Sequence, residues 1–174
     1  MQLEDLFGNK KILLILKYLV DHEDVLQREL VQKTKISKAT VIKWLYYLEK
    51  NGFITRKTIG SSRMVNINND NGVITELKKI NILMGLSDIK KPENSEVYLY
   101  GSCARGDYST DSDMDLLIIG KARRTEIIRD MESLERKMGR KISFNIFTDL
   151  EWSKMAKQDK AFYERVEKDK VRLV

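Results

Sequence analysis

One cysteine, one proline and one histidine occur among 174 residues. A lone Cys103 excludes an internal disulfide framework and suits a reducing compartment. It has no neighbouring His or second Cys to activate it, so it reads as a small helix residue rather than a nucleophile. His22, the sole histidine, reads as exposed near a helix end and without a partner. Long apolar runs are missing too. The most hydrophobic stretch, KKILLILKYLV, is interrupted by Lys17, has no small-residue cleavage site after it and is too short to span a bilayer. It predicts a core helix in a soluble, cytoplasmic chain with no membrane partner. No Gly-Lys-Ser/Thr P-loop, internal repeat or low-complexity tract is present.

What the chain does have is a 42% hydrophobic content, enough for a real core, and a net charge of +6 that is unevenly spread. Residues 33–63 carry eight basic side chains against Glu49 alone, whereas residues 87–174 carry 18 basic and 17 acidic ones. The basicity belongs to one early segment, which points to a polyanion there.

Apolar spacing predicts a first helix over residues 9–20, with Ile12, Ile15, Leu16 and Leu19 inward. Asp24 is placed to cap a second helix, VLQRELVQKT, with Gln27 in the capping-box position. After the turn KIS, Ser37 caps a third helix that Asn51-Gly52 ends. Two helices on so short a turn make a helix-turn-helix. The following stretch, FITRKTIGSSRMVNIN, reads as a hairpin about Gly60-Ser61-Ser62, completing a winged helix. A connecting helix, GVITELKKINILMGL, is expected to bury Ile74, Leu77, Ile80 and Met84. The polar stretch around Pro92 then makes the best domain boundary, giving 1–72, a connection over 73–91, and 92–174. Beyond it come strands at 97–100, 114–119 and KISFNIFT, a short Gly-rich helix, a long helix stopped by Gly139, and a Thr148–Glu151 capping box. Trp152, Phe162 and Tyr163 fall on the core face of the last helices. The expected class is α/β (α+β), a winged helix-turn-helix before a mixed sheet with flanking helices.

In a helix-turn-helix the second helix enters the major groove with its N-terminal residues leading. Here these are Ser37, Lys38 and Thr40, with Lys43 one turn on, while Arg56, Lys57 and Arg63 sit on the wing. Double-stranded DNA is the expected partner. The competing reading is a solvated face that mediates only protein contacts.

Asp113 and Asp115 are one residue apart, so on a strand both carboxylates share a face. Two such charges call for a cation between them, and hard oxygen ligands suit Mg²⁺ or Mn²⁺. Twelve residues earlier Gly101-Ser102 follows a strand and opens a helix, where a phosphate can approach the backbone, with Arg105 one turn on. The combination fits phosphoryl chemistry on a nucleoside triphosphate.

The ordered set Gly101-Ser102, Gly106 and Ser112-Asp113-Met114-Asp115 resembles the signature of DNA polymerase beta-like minimal nucleotidyltransferases, over about residues 73–148. With the winged helix in front, the chain resembles archaeal-type regulators that join the two domains. The resemblance implies that Gly101 and Ser102 hold the triphosphate, and that Asp113 and Asp115 ligate the metal and serve catalysis; Arg105 and Ser112 are further candidates to bind the phosphates. It also implies a third carboxylate on a later strand. KISFNIFT offers Ser143 and Asn145 at the inward positions instead, with Asp149 and Glu151 only past its end. Two expectations stand side by side. One is a DNA-binding transcriptional regulator whose second domain binds metal and nucleotide as a sensor or degenerate enzyme. The other is an active transferase that modifies a protein (as an antitoxin does its toxin) or a small-molecule hydroxyl. A homodimer suits the regulator, although no clear dimerisation stripe is visible.

Overall fold

The computed structural model describes residues 8–174. The chain falls into two compact units, Met1–Glu76 and Leu77–Val174.

In the first unit, helix α1 (Lys10–Asp21) starts at Asn9, whose side-chain oxygen accepts from the Lys11 and Ile12 amides, and it buries Ile12, Ile15, Leu16, Leu19 and Val20. Strand β1 (Val25–Leu26) follows, then helices α2 (Gln27–Thr34) and α3 (Lys38–Lys50). Lys35 takes up a left-handed conformation, φ 56°, to end α2. Ser37 caps α3 through the Thr40 amide, and Asn51 closes it. Strands β2 (Ile54–Ile59) and β3 (Ser62–Ile67) pair from Ile54–Ile67 to Ile59–Ser62, leaving Gly60 and Ser61 as a two-residue turn. Gly60 has φ 59°, as such a primed turn requires. With β1 the sheet order is β1-β3-β2. Three helices and this hairpin are a winged helix-turn-helix.

Asp24 does not cap α2. Val25 and Leu26 are drawn into the sheet opposite Val65 and Met64, which moves the helix start to Gln27, with Leu26 at the cap position. Asp24 instead exchanges hydrogen bonds with Asn66: its amide donates to Asn66 Oδ1, and its carboxylate accepts from Nδ2. Nor is His22 unpartnered, since its ring stacks on Tyr18 with centroids 4.1 Å apart.

Helix α4 (Gly72–Gly85) spans the division between the units. Its buried positions are Ile74, Lys78 and Ile82, a strict four-residue repeat. Ile80 and Met84 were expected inward, but they are 43% and 71% exposed. A buried lysine in that stripe concealed its phase.

The second unit is built on strands β4 (Ser95–Tyr100), β5 (Met114–Gly120), β6 (Ile142–Phe147) and β7 (Val171–Arg172), ordered β6-β5-β4-β7. The β4–β5 and β4–β7 pairs are antiparallel, and β5–β6 is parallel. Helix α5 (Gly101–Arg105) follows β4 directly, and α6 (Arg124–Met138) connects β5 to β6. Helices α7 (Asp149–Gln158) and α8 (Lys160–Asp169) complete the unit, α7 through the Thr148–Glu151 capping box. The continuous apolar run of β5 makes sense because both its faces are covered. Leu117 and Ile119 pack with Tyr100, Trp152 and Val166 in one cluster, flanked by Phe162 and Tyr163. Leu116 and Ile118 alternate to the other face and are fully buried there.

Candidate functional site

Asp115 pairs in register with Tyr100 on one side and Ser143 on the other, so it lies where β4 gives way to α5. Gly101, the first residue of α5, has φ +73°, and a Cβ built there would lie 2.7 Å from Asp115 Oδ2. Glycine is thus required twice, for its backbone angle and because the carboxylate occupies the space of a side chain. Burial pushes the Asp115 carboxyl above its usual range, and the Asp113 charge adds to this. Arg165 and Arg105 partly offset both effects. Asp113 sits exposed one residue before β5, and its carbonyl accepts a weak bond from Cys103 Sγ at 3.6 Å. Burial pushes the Cys103 thiol up to about 11, which suits a packed side chain and not a nucleophile.

The pair of carboxylates, one half-buried and repelled by the other, fits one hard divalent cation that keeps water or phosphate oxygens as its remaining ligands. Among the described residues a third protein ligand is not in place. Ser143 is exposed beside Asp115, and Asn145 donates to the Tyr100 hydroxyl at 3.1 Å. Glu151 is held by Thr148 in the capping box. Among the described residues no group of three or more His, Cys, Asp or Glu is placed to hold a metal ion.

Two residues expected at the phosphates are engaged elsewhere. Arg105 donates to Asp107 and Asp169, both at 2.9 Å, so any phosphate would compete with two carboxylates. Ser112 Oγ accepts from the Ser109 amide at 2.9 Å and closes the 109–112 turn. Gly101 and Ser102, both partly buried, begin α5.

Sequence reasoning missed what holds the loop before Asp113. Lys78, buried on α4, donates to the Tyr108 carbonyl and lies 4.5 Å from the centre of that ring. Arg140 lies 4.8 Å from the same centre and donates to the carbonyls of Ser109, Thr110 and Ser112. Two cations thereby fix four carbonyls of one short loop. A lysine at the buried spacing of α4 was the available signal.

In the first unit Lys38, Lys43, Lys57 and Arg63 are exposed. Arg56 is not free for a polyanion, because its guanidinium pairs with Glu49, the one acid of the basic segment. Ser37 and Thr40 bond to each other at the helix cap, Ser37 Oγ donating to Thr40 Oγ1 at 2.9 Å.

Residues 80–172 match the nucleotidyltransferase domain family, and residues 1–97 match the firmicute plasmid replication protein (RepL) family. The chain belongs to both families. Among solved structures the nucleotidyltransferase-domain chain resembles a candidate nucleotidyltransferase from Sulfolobus solfataricus at 26% identity. That likeness covers 56% of this chain and 84% of the other, with a TM-score of 0.31. No curated protein matches. Among the described residues no helix is long and apolar enough to cross a membrane.

Proposed function

We propose that this chain is a DNA-binding regulator whose nucleotidyltransferase domain takes up one nucleoside triphosphate with one Mg²⁺ or Mn²⁺. The observation that carries this reading is the Asp115 carboxylate lodged against Gly101 beside Asp113, with no third acidic ligand grouped with them among the described residues. Asp113 and Asp115 would hold the metal, which supplies charge neutralisation at the phosphates. Gly101 and Ser102 would receive those phosphates, with Ser112 shaping the loop and Arg105 joining only if it leaves its carboxylates. Without a base beside the metal, binding is favoured over turnover, and nucleotide occupancy serves as a signal. The winged helix supports DNA as the partner, and the RepL likeness supports plasmid replication as a setting alongside transcription.

Membership of the nucleotidyltransferase family supports a second reading, transfer of a nucleoside monophosphate to a protein or small-molecule hydroxyl. Calorimetric titration with each nucleoside triphosphate and Mg²⁺ tests the shared premise, because binding needs no acceptor. Saturable binding that disappears in Asp113→Ala/Asp115→Ala is expected. Absence of binding in the native protein refutes the nucleotide site. Release of pyrophosphate on addition of an acceptor would favour the second reading.

A further inference from the structure

The first unit carries basic grooves on both flanks of α3. One, of about 550 Å³, is lined by Lys38 and Ile42 of α3, by Arg28, and by Ser61, Ser62 and Arg63 at the wing turn. The other, of about 440 Å³, lies between the start of α1 and α3 and is lined by Lys10, Lys11, Thr40, Lys43 and Trp44. Each contains three cations, and neither has an acidic residue in its lining. At 3.6 residues per turn, Lys38 and Ile42 point to one side of α3, while Thr40 and Trp44 point roughly opposite. Val41, Leu45 and Leu48 face the core, so the helix is exposed between the two grooves, at Ala39, Lys43 and Tyr46.

A helix with side chains is about 10–12 Å across, and the DNA major groove is about 12 Å wide. A helix seated there therefore has one phosphate strand along each flank. We infer that the two grooves are the tracks for those strands, with Arg28, Lys38 and Arg63 meeting one strand and Lys10, Lys11 and Lys43 the other. Lys10 and Lys11 lie outside the basic segment 33–63, yet the fold brings them beside the recognition helix. Ala39 and Tyr46 are then left facing the base edges, where an alanine methyl or an aromatic ring can meet a thymine methyl.

This inference rests on duplex DNA being the partner, and one experiment separates the two. The dissociation constant for a short duplex of mixed sequence is measured across a salt series. Compared are the native chain, Lys10→Gln/Lys11→Gln, Arg28→Gln/Arg63→Gln, and a charge-matched control, Lys17→Gln/Lys168→Gln, whose residues are exposed and line neither groove. Each groove variant should flatten the logarithmic salt slope by about 1.8, at about 0.9 per lost phosphate contact, while the control keeps the native slope. An unchanged slope in Lys10→Gln/Lys11→Gln overturns the second track. An equal loss in the control overturns the assignment to grooves. A native chain that ignores the duplex at low salt refutes the DNA-binding reading itself.

Discussion

The two units use the same residue types in opposite ways. In the first, lysines and arginines stand at the surface around α3, and the two grooves on its flanks have no acid in their lining. In the second, where acids nearly match bases in number, cations are consumed internally. Arg140 and Lys78 fasten the loop before Asp113, Arg105 binds two carboxylates, and Lys137 and Arg172 pair with Asp88 and Glu96. A local charge excess therefore leaves cations exposed at the surface, whereas a balanced segment hides which of its cations are structural. The exception sharpens the point, for Arg56 has the one acid of the basic segment as its partner and behaves as a cation of the second unit does.

The largest test of this contrast is Arg140→Ala. Losing donors to three carbonyls should destabilise the second unit by about 3 kcal/mol in urea unfolding followed by Trp152 fluorescence, whereas exposed Lys43→Ala should stay within about 0.5 kcal/mol. Equal costs would erase the distinction. Next, Gly101→Ala should cost about 2 kcal/mol through its left-handed backbone and should displace Asp115. Mn²⁺ binding, read by electron paramagnetic resonance, should be lost with it, and retained binding would show that the approach is incidental. Ser37→Ala should lower the stability of the first unit by about 1 kcal/mol or less, given a cap contact of 3.4 Å, and leave the DNA salt slope unchanged.

The smallest effect has the opposite sign. Because the folded state raises the Asp115 pKa, this group contributes stability when protonated and loses that contribution as pH rises through its folded pKa. Asp115→Asn should therefore raise the Tm of the metal-free protein slightly at neutral pH, and the gain should shrink on acidification. A lowered Tm would mean that the carboxylate is structural.

Much of this was legible in the sequence because it is local. Helix periods, the Ser37 and Thr148 caps, the Gly60 turn and the apolar run of β5 each follow from a few adjacent residues. The Gly101 to Asp115 motif was likewise legible, as were the non-acidic residues Ser143 and Asn145 on the later strand. The structure added what depends on distant partners. Asp24 lost its capping role because β3 recruits the next two residues, and Lys78 was missed because its partner Tyr108 is 30 residues away. Arg105 and Ser112 look like phosphate ligands until Asp169 and Ser109 are seen beside them. Lys10 comes to line a groove with α3 only through the packing of α1.

The place of β7 bears on how the chain is made. The strand pairs with β4, and Val174 and Leu173 exchange backbone hydrogen bonds with Val97, so the second unit's first strand waits for residues 171–174 before its edge is covered. The winged helix draws on residues up to 76 and can fold on the ribosome while β4 still exposes unpaired backbone. During that interval the open edge of β4 is the nascent chain's point of risk for pairing with a neighbour.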